Sequence, residues 1–161
     1  MTAALSPSAQ RVQDALDAAG IETTIVEYDV PARTSAQAAD VLGCTVGQIA
    51  KSLVFKAQSG RAVLVIASGA NRVDEAKVAA LIGEPIGKAD AAFVREATGY
   101  AIGGIPPLGH VQPLTPLIDR DLLAFDVVYA AGGTPHAMFP VTPDALLRVS
   151  GGTAADVALL S

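Results

Sequence analysis

The chain has 161 residues, of which 51% are hydrophobic and 17% charged, and its net charge is −5. This composition is typical of one compact domain, predicted over 1–161, and excludes a disordered, collagen-like or coiled-coil chain. The N-terminus lacks the pattern of a secretion signal, and no apolar run reaches the roughly 18 residues of a membrane span. We therefore expect a cytoplasmic protein with no membrane partner.

The scarcity of cysteine, histidine and tryptophan excludes several kinds of site. A single cysteine, Cys44, excludes an internal disulfide, and with two histidines in the chain we expect no structural zinc, no other metal and no cofactor. An acidic chain without tryptophan is a poor match for a nucleic-acid coat protein or a base-stacking platform. DNA is therefore not an expected partner.

Apolar periodicity, capping residues and β-branched runs predict the secondary structure. In the first half these are a helix over 7–19, a strand over 21–28, a helix over 36–42, strands over 49–56 and 62–67, and helices over 75–81 and 91–97. In the second half they are a short extended piece at 100–102, an irregular Gly/Pro-rich loop over 103–116, strands over 117–119, 126–131 and 137–141, a turn at 120–123, a helix over 143–149 and a frayed tail after 152.

These elements lack a regular β-α alternation, which favours an α+β fold over a doubly wound one. Strands separated by hairpins alternate with short helices in no fixed order. We therefore predict a single domain with a mixed sheet and flanking helices.

Lys51 is the first candidate for a functional side chain. Period-2 alternation places it on the same strand face as Ile49, Leu53 and Phe55, so its ammonium needs solvent, an acid or an anionic ligand. A snorkelling lysine at a sheet edge is an equally good interpretation of this pattern. The surrounding segment, 33–88, has seven basic against four acidic residues, which is compatible with docking a phosphorylated ligand.

Two glycine-rich loops are the other candidates. In the segment 103–110, GGIPPLGH, glycines permit close approach to a ligand and prolines stiffen the loop, so its N–H groups could face an oxyanion or a carbonyl. The second loop holds Gly132 and Gly133, with His136 nearby. A purely structural turn is the commoner explanation of a single Gly-Pro cluster, and a tight turn also explains the second loop. Standard hydrolase and nucleotide-binding fingerprints are absent.

Four segments in order resemble the YbaK/EbsC family, which is related to the editing insertion domain of bacterial prolyl-tRNA synthetase. They are QIAKSLVF at 48–55, NRVD at 71–74, TGYAIGGIPPLGH at 98–110 and YAAGG at 129–133. The resemblance extends from about residue 20 to about residue 149. It implies a compact α+β domain whose mixed sheet is partly barrel-like.

The resemblance implies a trans-editing enzyme that hydrolyses the ester of a mischarged aminoacyl-tRNA. The family's functional lysine corresponds to Lys51, the small residue after it to Ser52, its G-x-x-x-P loop to Gly103–Pro107 and its later glycine turn to Gly132 and Gly133. Lys51 is then expected to bind the acceptor end of the tRNA.

The expected mechanism is attack by a positioned water, without a catalytic triad. Main-chain N–H groups at Gly103 and Gly104 would stabilise the oxyanion, and Ile105 and Leu108 would shape the amino-acid pocket. The turn lacks the serine and the basic residue found in the Cys-tRNA(Pro) deacylase branch, and Thr134 and His136 are the nearest substitutes.

Two alternatives stay open on the sequence. One is a non-catalytic module that binds an aminoacyl-tRNA or nucleotide, or docks to a synthetase, through the same lysine and loop. The other is a hydrolase whose nucleophile is Cys44, paired with His110 or His136.

Overall fold

A computed structural model describes residues 4–31 and 34–159. The five helices are α1 (Pro7–Ala18), α2 (Ser35–Leu42), α3 (Glu75–Ile82), α4 (Ala91–Thr98) and α5 (Pro143–Ser150), with 3-10 turns at Val46–Gln48 and Arg120–Ala124. The strands are β1 (Val26–Glu27), β2 (Ile49–Ala57), β3 (Ala62–Ser68), β4 (Ile86–Lys88), β5 (Leu117–Asp119), β6 (Val128–Ala131), β7 (Ala137–Val141) and β8 (Thr153–Ala155). No helix in these ranges is long and apolar enough to cross a membrane.

All eight strands form one mixed sheet, in the order β1-β7-β6-β2-β3-β5-β8, with β4 also paired to β2. The pairs β2–β6, β3–β5 and β5–β8 are parallel, whereas the remaining pairs are antiparallel. The predicted α+β fold with a mixed sheet is therefore confirmed.

Both faces of the sheet are covered, because alternate residues of β3 enter different cores. Leu64 and Ile66 join the main core, which also contains Leu16 of α1 and Phe139 of β7. Val65 lies on the opposite face, in a smaller core beneath α3. A third small core joins α2 to the start of β2. The middle of the sheet consequently lies between packed layers.

Capping residues begin most of the helices, as the sequence indicates. Thr34, Asp74, Asp90 and Thr142 each accept a hydrogen bond from a main-chain N–H in the first turn of the helix that follows. These bonds satisfy amides that have no partner within the helix.

Three local predictions are wrong. The strand predicted over 21–28 is reduced to Val26–Glu27, because the Gln13 side chain bonds to the Thr23 carbonyl and the Ile25 N–H in place of a neighbouring strand. Residues 100–102 are not extended but enter a turn closed by a bond from Gly104 N–H to the Ala101 carbonyl. The tail is not frayed, since β8 pairs with β5 and Val157 is fully buried.

Candidate functional site

The site begins at a gap in the strand pairing of β2. On one edge, β3 pairs with β2 continuously from Ala50 to Lys56. On the other edge, β6 pairs only up to Ala50, and β4 begins only at Phe55. Residues 51–54 therefore have an unpaired edge in the middle of an otherwise continuous sheet.

A cavity of about 540 Å³ opens beside this gap. Its walls come mainly from Thr34 and α2, from β2 and from the glycine-rich loop. The lining residues are Thr34, Ser35, Ala36, Ala38, Val46, Ile49, Ala50, Lys51, Ser52, Leu53, Gly69, Ile102, Gly103, Ile105, Ala131 and Met138. Among the described residues that line it there is no aspartate or glutamate, so Lys51 provides its charge.

Lys51 is half-buried in this wall, and no carboxylate of the described residues forms an ion pair with it. Its Nζ donates a hydrogen bond of 2.8 Å to the Asn71 carbonyl, and none of the ion pairs among the described residues involves it. Burial lowers the pKa of the Lys51 ammonium, the nearby Arg72 lowers it further, and Asp119 raises it. An ammonium with one main-chain partner keeps donors for an anionic or carbonyl oxygen.

A buried carboxylate, which was not predicted from the sequence, fixes the loop whose carbonyl binds Lys51. Asp119 is 1% exposed and accepts hydrogen bonds from Ser68 N–H, Asn71 Nδ2 and Asp121 N–H. Asn71 thus joins Asp119 through its side chain and Lys51 through its carbonyl. Asn71 lies in the NRVD segment, but its partner is 48 residues away along the chain, which a local pattern does not indicate.

The glycine-rich loop supplies the opposite wall of the cavity through Gly103 and Ile105. Gly103 has a φ of +92°, and its N–H makes no hydrogen bond to any described residue. Gly104 differs, because its N–H bonds to the Ala101 carbonyl and a Cβ at this position would lie 2.6 Å from Thr134 Cα. Gly103 therefore lies at the cavity wall with an amide that has no partner among the described residues, and Gly104 permits the close packing of the loop against Thr134.

Comparison with known proteins identifies the family. A family model described as the aminoacyl-tRNA editing domain matches residues 29–149. The chain belongs to this family. The editing domain thus includes the pairing gap, the cavity and the glycine-rich loop.

Solved structures share this editing-domain fold over nearly the whole chain. A protein described as a candidate trans-editing enzyme for prolyl tRNA synthetase has 47% identity and a TM-score of 0.92, covering 98% of this chain and 100% of its own. Hypothetical protein APE2540 has 32% identity and a TM-score of 0.85, covering 92% of this chain and 99% of its own.

A relative is also found by sequence. The uncharacterised protein YwhH of Bacillus subtilis (strain 168) is 30% identical over 129 residues, covering 80% of this chain and 82% of its own.

Several residues singled out in the sequence lie behind the wall of the editing-domain cavity. Pro107 and Leu108 are buried, and Leu108 packs in the main core. Gly132 and Gly133 are both buried. A Cβ at Gly132 would lie 2.9 Å from Ile25 Cγ2, and a Cβ at Gly133 would lie 2.7 Å from the Ser8 carbonyl oxygen. On either side of this turn, Ala131 at the end of β6 and Met138 in β7 line the cavity, and neither was predicted from the sequence.

The histidines and the cysteine make structural contacts. His136 Nδ1 lies 3.0 Å from the Tyr28 carbonyl oxygen, and His110 Nε2 lies 2.6 Å from that of Pro106. Burial raises the pKa of the Cys44 thiol, which disfavours the nucleophilic thiolate. Within the described part of the chain, no group of three or more His, Cys, Asp or Glu is arranged to hold a metal.

Proposed function

We propose that this editing domain is a free-standing deacylase that hydrolyses the ester of a mischarged aminoacyl-tRNA. The observation that carries the proposal is Lys51, which has no carboxylate partner among the described residues and lines a largely apolar cavity whose described lining contains no acid. The acceptor end of a tRNA is anionic and polar, whereas the acyl group of a small amino acid fits an apolar wall. The relative described as a candidate trans-editing enzyme for prolyl tRNA synthetase supports the same substrate class.

The proposed reaction needs positioning rather than a strong nucleophile, because an aminoacyl ester is already activated. Lys51 binds a phosphate or ribose oxygen of the terminal adenosine. A water oxygen attacks the ester carbonyl carbon, the bond to the ribose oxygen breaks, and that oxygen takes up the proton of the water. The products are the free amino acid and the tRNA, and the neighbouring ribose hydroxyl orients the water.

The glycine-rich loop provides the stabilisation of charge in this scheme. The developing oxyanion accepts a hydrogen bond from Gly103 N–H, an amide that has no partner among the described residues. Gly104 acts through packing against Thr134. Ser52 and Ile105 contact the acyl group from the cavity wall.

The buried residues next to the cavity hold this wall in place. Pro107 and Leu108 stiffen the loop from behind. Gly132, Gly133 and His136 fix the turn that presents Ala131.

A deacylation screen tests the proposal. tRNA(Pro) charged with cysteine, alanine, serine or threonine is incubated with the purified protein, and release of free amino acid is compared with spontaneous hydrolysis. We expect faster release for at least one of the four. Because the cavity's described lining offers neither a carboxylate nor an imidazole as a base, a non-catalytic binding module is the second candidate. Ester bonds that are protected, or left at the spontaneous rate with every amino acid, would contradict the deacylase and favour that module.

A cytoplasmic location follows from this proposal, because charged tRNA is formed and used there. An acidic domain of this size would contact only the acceptor end, and a synthetase partner would supply recognition of the rest of the tRNA.

A further inference from the structure

The register of β2 fixes which main-chain groups face the pairing gap. Gly69 N–H bonds to the Ile49 carbonyl at 2.7 Å, and Ala57 N–H bonds to the Arg61 carbonyl at 2.9 Å. Both bonds belong to the β2–β3 ladder, so the odd-numbered residues of β2 direct their N–H and C=O groups toward β3. In an antiparallel pair these directions alternate. The even-numbered residues therefore direct theirs toward the opposite edge.

Two even-numbered residues, Ser52 and Val54, lie within the gap. Of the two, Ser52 lines the cavity, whereas Val54 packs against the main core. Ala50 is paired with β6, and Lys56 is paired with β4. Ser52 lies between them, so neither its N–H nor its C=O has a partner in the sheet. Its Oγ is also buried and without a hydrogen-bond partner in the described chain. Buried polar groups are nearly always paired, so this buried, unpartnered hydroxyl beside an unpaired main-chain donor and acceptor on a cavity wall indicates a ligand site.

The acyl end of an aminoacyl ester has the groups that complement this edge. Its α-amino nitrogen is a donor and its carbonyl oxygen is an acceptor, with the same separation as the N–H and C=O of one residue in a strand. In an antiparallel sheet, two residues that face each other exchange both bonds in this way. The described cavity lining has no carboxylate to accept from the amino group, so the Ser52 carbonyl is an acceptor suited to that group.

We propose that the substrate's amino acid binds as a single added strand residue on the open edge of β2, with its α-amino group donating to the Ser52 carbonyl and its ester carbonyl accepting from Ser52 N–H. This inference rests on the proposed deacylase function and names the group by which the enzyme recognises its substrate. The α-amino group is then required for cleavage, and an acyl ester without it is rejected because the Ser52 carbonyl stays unpaired.

The test uses two matched pairs of acylated tRNA, based on the amino acid that is cleaved fastest in the deacylation screen. The first pair is the aminoacyl ester and its deamino counterpart. The second is the N-methylaminoacyl ester and its 2-methoxyacyl counterpart, which are equal in size and both electron-withdrawing, although only the first donates a hydrogen bond. Each enzymatic rate is divided by the spontaneous rate of the same ester. We expect the donor-bearing member of each pair to be favoured by about tenfold or more in kcat/KM.

The outcomes separate this inference from the proposed function. A ratio near one in the first pair, with rapid cleavage of the aminoacyl ester, overturns the Ser52 assignment and leaves the deacylase intact. If no aminoacyl ester is cleaved, both fail. If the bulkier second pair is not cleaved, the first pair decides. Ser52→Ala keeps both main-chain groups, so we expect the ratio to persist in this variant, whereas its loss would assign recognition to the hydroxyl.

Discussion

Replacing Gly104 with alanine tests whether this residue acts through packing. A Cβ at position 104 would lie 2.6, 2.7 and 2.8 Å from the Cα, C and N atoms of Thr134. Carbon atoms in favourable contact are about 3.5–4.0 Å apart. The atoms that clash belong to the main chain, so no side-chain rotation relieves them, and the loop or the Thr134 turn must move by roughly 1 Å.

The size of the effect follows from this overlap. Overpacking by one methyl group in a well-packed site typically costs about 1–3 kcal/mol, so Gly104→Ala is expected to lower the free energy of unfolding by that amount. The displaced loop carries Gly103, so deacylation by the folded variant also falls.

Gly87→Ala is the matched control. A Cβ at Gly87 in β4 would meet nothing within 4 Å. Because alanine restricts the unfolded chain, this variant is expected to gain about 0.4–1 kcal/mol. Urea denaturation with a common slope measures both values. A Gly104→Ala protein as stable as the parent would refute the packing assignment, whatever its activity.

Two further predictions concern the support of Lys51 and the loop. Asn71→Ala leaves the buried Asp119 with one hydrogen-bond partner fewer, so we expect the free energy of unfolding to fall by about 1–3 kcal/mol and kcat to decrease. Denaturation and single-turnover deacylation measure the two effects. An unchanged kcat would show that the Asn71 side chain does not position Lys51. Burial lowers the pKa of His110 below its ordinary 6.5, so the unfolded chain takes up this proton first as the pH falls. The free energy of unfolding should therefore decrease below about pH 6.5, and less steeply in His110→Gln; equal slopes would contradict the assignment.

The helices could be predicted from the sequence because their signals are local. Asp74, Asp90 and Thr142 each precede an apolar period and cap the helix that follows. The late start of β1 at Val26 could not be predicted in this way, since it depends on the Gln13 side chain, which reaches the main chain of 23–25 from another element.

The candidate site likewise has features with a local sequence signal and features that depend on distant residues. Alternation along β2 and the composition of the glycine-rich loop are enough to indicate Lys51 and Gly103 as candidates from the sequence alone. The opening beside Lys51 depends on where β6 and β4 stop pairing with β2, and on Asp119, which comes from a strand on the far side of β3. Such long-range register has no local signature. The same reason explains why the short strands β4 and β8 were not predicted.

The most direct test of the account compares Lys51→Met with Lys56→Met in single-turnover deacylation of the best substrate from the screen. Lys56 lies on the same strand but is exposed, with its Nζ 5.2 Å from the centre of the Phe93 ring. Loss of a charged hydrogen-bond donor costs about 1.5–3 kcal/mol, so Lys51→Met should be slower by roughly ten- to hundredfold, while Lys56→Met keeps the parent rate. A folded Lys51→Met protein that deacylates at the parent rate would contradict the account.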